Sequence, residues 1–145
     1  MKISIASDHA AFEMKEFLKE YLIESGYEVT DYGTNSDESV DYPDYAEKLG
    51  KSVASSETDY GVLLCGTGIG ASIAANKIKG IRAALCLYPQ MAELARQHNN
   101  ANVVVLGGRL MGKDICKWTV DKFLNTDFEG GRHQRRVDKI TKLEE

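Results

Sequence analysis

Two periods alternate along the chain, short runs of consecutive apolar residues and longer stretches in which apolar positions recur every three or four residues. The first predicts buried strands and the second predicts helices. Ile3, Ser4, Ile5 and Ala6 form a first strand. Over residues 10–24, Phe12, Phe17, Leu18, Tyr21 and Leu22 fall at helical spacing, and Gly26 stops the helix. A second strand is predicted over 27–31, a long polar loop over 33–43, a second helix over 45–54 and a third strand over 60–64. Helices near 70–78, 90–98 and 111–124 follow, separated by strands over 82–87 and 102–106. Val137, Ile140 and Leu143 mark an amphipathic terminal helix with a basic start. Five strands alternating with helices imply right-handed crossovers and one parallel sheet covered on both faces. There is no internal repeat, linker or low-complexity segment, so residues 1–145 read as a single domain.

In such sheets ligands bind beyond the carboxyl ends of the strands. Here those ends read Ser7-Asp8-His9, Asp31-Tyr32-Gly33, Cys65-Gly66-Thr67, Tyr88-Pro89 and Gly107-Gly108-Arg109, which places most of the unusual polar residues on one edge. Composition narrows the field of functions: 43% hydrophobic and 28% charged residues suit an ordinary globular protein. A net charge of -4 offers no global attraction to nucleic acid or to an anionic membrane surface. No apolar run approaches the ~18 residues of a membrane span, and the first residues do not form a signal peptide, so a cytoplasmic location is expected. Cys65, Cys86 and Cys116 form no CxxC pair and leave an odd count, indicating neither a disulfide framework nor a zinc site. Cys86 and Cys116 read as inert packing.

Cys65 is different because it ends the run Leu63-Leu64-Cys65 and is followed by Gly66-Thr67-Gly68-Ile69-Gly70. The helix expected beyond it would aim backbone N–H groups and the positive end of its dipole at this turn, favouring an anion and a thiolate. The loop lacks the lysine of a P-loop. It matches a loose dinucleotide fingerprint through Gly66, Gly68 and Ala71, but the next strand ends in Leu87-Tyr88-Pro89, without an acidic residue for a ribose hydroxyl. Alanine stands where a thiol phosphatase would carry its arginine. What survives is a nest of N–H groups suited to one small oxyanion, with a thiol at its rim. A tight strand-to-helix turn with a buried cysteine would read the same way.

Asp8 suits a helix N-cap as well as a catalytic group, with His9 beside it. His98 closes a helical stretch, where a cation also favours the dipole. Arg132 and Arg136 stand one turn apart at the start of the last helix, where cations oppose the dipole unless an anion sits among them. Two arginines with a histidine such as His133 grip a phosphomonoester well, and the glycine pair Gly130-Gly131 would permit close backbone approach. A solvated basic face is the alternative.

Taken together, Asp8-His9, Asp41-Tyr42-Pro43, Cys65 to Gly70, Ile73-Ala74-Ala75-Asn76-Lys77, Arg96-Gln97-His98-Asn99 and Gly130 to Arg136 resemble the ribose/galactose isomerase family, in particular its type B ribose-5-phosphate isomerases. The resemblance extends from Met1 to about Leu143. It implies a three-layer α/β/α Rossmann-like fold with a five-stranded parallel sheet and a C-terminal helical extension. It further implies a homodimer or higher homo-oligomer with shared active sites, and interconversion of ribose 5-phosphate and ribulose 5-phosphate through an enediolate. That reaction lies in the pentose phosphate pathway of carbohydrate metabolism and needs no metal or organic cofactor.

By the same resemblance, Cys65 matches the base between C1 and C2, Thr67 the hydroxyl that shuttles protons, and Gly66, Gly68, Ile69 and Gly70 the hole for the enediolate oxygen. His98 and Asp8 match the pair that opens the furanose ring, Asn99 a sugar contact, and Tyr42 a wall of the site. His9, Arg109, Arg132 and Arg136 match phosphate ligands, with His98, Asn99 and Arg109 reaching over from the partner. Part of the family uses a glutamate base where this chain has Ala71, so the cysteine branch is the one resembled. An isomerase of a six-carbon phosphosugar, allose 6-phosphate or galactose 6-phosphate, and a non-catalytic sugar-phosphate sensor remain the alternatives. Neither nucleic acid nor membrane is an expected partner.

Overall fold

The computed structural model describes residues 1–145. Its elements run β1 (Lys2–Ser7), a 3-10 turn (His9–Ala11), α1 (Phe12–Glu24), β2 (Glu28–Asp31), α2 (Tyr42–Ala54), β3 (Tyr60–Cys65), α3 (Ile69–Ala75), β4 (Ala83–Leu85), α4 (Pro89–Asn99), β5 (Val103–Gly107), α5 (Lys113–Leu124) and α6 (Arg132–Lys142). All four strand pairings are parallel, in the order β2-β1-β3-β5-β4.

The order of strands decides which helix lies on which face. The chain moves one way across the sheet from β1 to β2 and from β4 to β5, and the other way from β2 to β3 and from β3 to β4. Right-handed crossovers then send α1 and α4 to one face and α2 and α3 to the other. The cores agree: Ile3, Ile5, Val62, Leu64, Val104 and Leu106 pack with α1, α4 and α5, whereas Ala6, Leu63, Cys65, Val103 and Val105 pack with α2 and α3. This is the expected three-layer α/β/α arrangement. The reversal falls between β1 and β3, where the chain leaves the two carboxyl ends in opposite directions and opens a crevice.

Three elements depart most from the sequence reading. α2 starts at Tyr42, not 45, because Asp41 is extended and Pro43 lies in the first turn, where its missing N–H costs nothing. β4 spans Ala83–Leu85 only, as the short edge strand of the sheet. α3 stops at Ala75 because the Asn76 side chain leaves the helical path to pair with Ala83, Nδ2 donating to its carbonyl at 2.9 Å and Oδ1 accepting its N–H at 2.8 Å. No helix is long and apolar enough to cross a membrane.

One charged group lies inside the packing. Lys15 on α1 is fully buried, its Nζ donating to Asp31 at 2.6 Å and to Glu16 at 3.0 Å. Asp31 also accepts from Lys19 at 3.0 Å and from the Gly33 N–H at 2.8 Å. Burial by itself would raise the Asp31 carboxyl, but these donors outweigh it and hold the group below its ordinary range. The network secures the turn after β2, whose Gly33 carbonyl accepts the Ser7 N–H and whose Thr34 N–H donates to Ser7. The end of β1 is thereby held from both sides.

Candidate active site

Cys65 closes β3 with its side chain on the face covered by α2 and α3, 4% exposed. Its Sγ accepts a hydrogen bond from the Gly68 N–H at 3.2 Å. Gly68 has φ +80, which a side chain would strain, and a Cβ there would stand 2.5 Å from Leu85. At Gly107 on β5 a Cβ would lie 2.6 Å from the Thr67 carbonyl oxygen. The glycines thus let the loop settle onto the end of β5 so that a backbone donor reaches the sulfur.

Thr67 Oγ1 accepts from the Ile69 N–H at 3.2 Å, which turns the residue and leaves its own hydroxyl proton to donate elsewhere. The N–H groups of Gly66, Thr67 and Gly70 donate to no acceptor within the chain. That set of unspent donors beside a sulfur is what an oxyanion hole requires. Tyr42, first residue of α2, packs over the loop: a Cβ on Gly70 would sit 2.5 Å from the Tyr42 ring. Ala71, at the position of the alternative glutamate, is fully buried among α2 and α3.

Asp8 and His9 follow β1 at the other side of the crevice. Asp8 is buried and caps the 3-10 turn, its Oδ1 accepting the N–H groups of Ala10 at 3.1 Å and Ala11 at 3.3 Å. Both roles weighed for it remain compatible, because the cap uses only Oδ1. His9 Nδ1 accepts the Val40 N–H at 3.1 Å. A neutral ring fixed in this way carries its proton on Nε2 and presents it as a donor. The guanidinium of Arg109 lies over the loop, its Nη1 3.3 Å from where a Gly66 Cβ would be, and the Arg109 backbone N–H donates to the Gly66 carbonyl at 2.9 Å. Arg109 therefore lies at this rim in the same chain as Cys65.

The remaining residues lie elsewhere. α4 starts beyond the carboxyl end of β4 and returns along the sheet for 11 residues, about 16 Å. His98 and Asn99 consequently sit at the amino rim, next to the start of β4, where Arg82 Nε donates to the Asn100 carbonyl at 2.9 Å. Arg132 and Arg136 are at the same rim, because the His133 ring of α6 stacks on His98 with centroids 4.4 Å apart and planes 12° from parallel. Both arginines are exposed and have no carboxylate partner. Burial and the positive charge of His98, Arg132 and Arg136 pull His133 below the usual histidine range, although Glu129 acts the other way. Gly130 and Gly131 have φ +69 and +56 with open space around them, so both hold backbone conformations that a side chain would strain.

The chain thus gathers Asp8, His9, Tyr42, Cys65, Gly66, Thr67, Gly68, Ile69, Gly70 and Arg109 at one rim, and His98, Asn99, Arg132 and Arg136 at the opposite one. The strand-end residues share one rim, and His98 and Asn99 lie at the other because a helix following a strand returns to the far side. Sequence reasoning missed Glu129, whose Oε1 lies 3.6 Å from His98 Nε2 and 3.8 Å from His133 Nε2. It is three residues before Arg132 and gives no periodic signal. Cys86 and Cys116 are buried in the other core, where desolvation pushes their thiols up to about 12 and about 11. They are inert at neutral pH, as packing residues should be. The main concavities lie away from Cys65: one of about 440 Å³ joins Asn99 to Ile140 and Leu143, and one of about 710 Å³ runs between α4 and α5 beside Trp118.

The chain is similar to known proteins along nearly its whole length. The family model described as Ribose/Galactose Isomerase matches residues 3–140. Ribose-5-phosphate isomerase B of Escherichia coli is 49% identical, the match covering 99% of this chain and 97% of that protein. The crystal structure of a ribose 5-phosphate isomerase from Thermotoga maritima superposes with a TM-score of 0.96 at 64% identity, covering 97% of each chain. Ribose-5-phosphate isomerase B of Clostridium thermocellum gives 0.98 at 49% identity, covering 99% of this chain and 97% of that one. A family model spanning nearly the whole length, with close relatives matched end to end, makes this chain a member of the ribose/galactose isomerase family.

Proposed function

We propose that the protein interconverts ribose 5-phosphate and ribulose 5-phosphate, as an aldose-ketose isomerase of cytoplasmic carbohydrate metabolism in the pentose phosphate pathway. The observation that carries this reading is end-to-end similarity, at 64% identity, to a protein named ribose 5-phosphate isomerase. The site chemistry supports it. Removing a proton α to a carbonyl builds charge on oxygen, so donors fixed in advance matter as much as the base.

In this reading Cys65, as thiolate, takes the C2 proton of the open-chain aldose. The electron pair of that C–H bond forms the C1–C2 double bond while the carbonyl π pair moves to O1. The free N–H groups of Gly66 and Gly70, and the loop at Gly68 and Ile69, hold the resulting oxyanion. Thr67 passes a proton between O2 and O1, and the Cys65 thiol returns its proton to C1, giving the ketose and regenerating the thiolate. One such donor is worth ~3 kcal/mol of barrier. Ring opening comes first: His98 and the free Oδ2 of Asp8 move the proton from the anomeric hydroxyl to the ring oxygen, while Asn99 and Tyr42 position the sugar.

The phosphate is remote from the reacting carbons, so its binding energy holds the flexible open chain in place. His9 Nε2 and Arg109 supply ligands from the Cys65 rim. His98, Asn99, Arg132 and Arg136 travel together at the other rim, so a second copy of the chain must bring all four. A homodimer with two shared sites is the simplest assembly that does this.

Conversion of ribose 5-phosphate to the ketose, assayed with a chelator present and beside allose 6-phosphate and galactose 6-phosphate, tests the reading. The largest kcat/KM is expected on the pentose. A preference for a six-carbon substrate would replace the substrate, and binding without turnover of any of them would leave a sensor.

A further inference from the structure

We propose that His98, Glu129 and His133 form a binding site for a borderline divalent cation of the zinc class, and that the bound ion reversibly inhibits the protein. The three ligand atoms all lie within 4.8 Å of one another. Zinc holds nitrogen and carboxylate oxygen at about 2.0–2.2 Å, which makes the edge of its coordination tetrahedron about 3.4 Å. The two edges from Glu129 Oε1, 3.6 Å to His98 Nε2 and 3.8 Å to His133 Nε2, are close to that already. The third closes by modest rotation of partly exposed side chains. Two imidazoles and one carboxylate with a fourth position open is a donor set that selects zinc, copper or nickel over magnesium or calcium.

The donors are also held in place by backbone. His98 belongs to the last turn of α4 and His133 to the first turn of α6. The Glu129 N–H donates to the Gln97 carbonyl at 3.1 Å, tying the segment before α6 to the end of α4, and the His133 N–H donates to Gly130 at 3.0 Å. Both rings present Nε2 to the same carboxylate oxygen, and their stacked planes must tilt apart for the two lone pairs to meet at one ion. Opposing this, Arg132 and Arg136 place positive charge beside the site. Both are exposed, so salt screens them, and metal affinity should rise with ionic strength where an ordinary surface cation site would weaken.

Inhibition follows from sharing. A cation on His98 Nε2 takes the lone pair that ring opening needs, so this half rests on the role proposed above for His98. The site itself does not depend on that role. Cys65 is the competing zinc ligand, and the experiment separates the two.

Chelator-washed protein is titrated with Zn2+ by calorimetry, and with Co2+ while visible absorption is recorded. One ion per chain is expected, with the intense band of tetrahedral cobalt, retained in Cys65→Ala and weakened at least tenfold in Glu129→Gln and His133→Gln. The parent should lose isomerase activity to zinc and regain it with chelator, and Glu129→Gln should resist. No binding by the parent, unchanged affinity in both variants, or loss of binding in Cys65→Ala overturns the site. Binding that follows the three side chains without any effect on turnover overturns the inhibition. The cobalt spectrum of the parent needs no variant to fold and no activity, so failure of the isomerase reading would leave it legible.

Discussion

At the carboxyl rim of the sheet, Cys65, Gly66 and Gly68 are buried, the sulfur already holds a backbone donor, and glycines let three segments pack without clearance. At the amino rim, Asn99, Arg132 and Arg136 stand exposed, and the charges on the arginines meet no carboxylate. The first region is fixed by packing within the chain, and the second ends in exposed groups. A loop around a reacting atom must be positioned to a few tenths of an ångström, which only packing within one core provides. Groups that grip a phosphate tolerate more freedom, so they can be delivered by another chain.

The largest effect is expected where positioning is tightest. Cys65→Ala should lower kcat by about a thousandfold, within the range of a lost general base, while KM stays near that of the parent. Steady-state kinetics on ribose 5-phosphate measure both, and equal kcat in the two proteins would remove the base. At the other rim the pattern should invert. Arg132→Ala and Arg136→Ala each remove a charge-assisted contact worth about 1.5–3 kcal/mol, raising KM about 10- to 100-fold. Their melting temperatures should match the parent because neither side chain is packed or paired. A falling melting temperature with unchanged KM would make them structural.

If the two rims meet only between copies, two dead proteins can repair one another. Mixing Cys65→Ala with His98→Ala should give mixed dimers with one intact site, and about a quarter of the parent's activity after full exchange. The arrangement of the arginines sharpens this: Cys65→Ala should also rescue Arg132→Ala, but should not rescue an Arg109→Ala variant when Arg109 acts beside its own Cys65. In that second pair Cys65 and Arg109 are never intact in one chain. Recovery there would return Arg109 to the partner.

The layers and the strand count were legible because buried strands and amphipathic helices leave different periods, and β3 with its glycines singled out Cys65, although a plain structural turn reads the same way. The separation of the site into two rims was not. Arg132 and Arg136 share a helix face visible from spacing, but which rim that face occupies depends on the direction of α4 and on the stacking of His133 against His98. Neither is a local property. The start of α2 was missed because polar residues hid a helix whose first turn is set by Pro43. Nothing in the spacing of α1 sets Lys15 apart from a solvated lysine, since its partner Asp31 lies sixteen residues on.

That buried pair offers the mildest test, because it supports the end of β1 without touching the crevice. The Asp31 carboxyl is held below its unfolded value, so its contribution to stability is fully present above about pH 4 and is lost as pH falls through the folded value. Asp31→Asn removes the titration and leaves Lys15 with Glu16 as its remaining carboxylate. At pH 7 the variant should be less stable by about 2 kcal/mol, below the usual cost of breaking a buried pair because Glu16 compensates. This corresponds to roughly 4–8 °C in Tm for a chain of this size. The gap between parent and variant should narrow below pH 4, since the parent then loses the same charge, while kcat at pH 7 stays nearly unchanged. Thermal melts from pH 7 down to pH 3 check the sign: a gap that widens on acidification would mean that protonation favours the folded state at Asp31, contrary to its three donors.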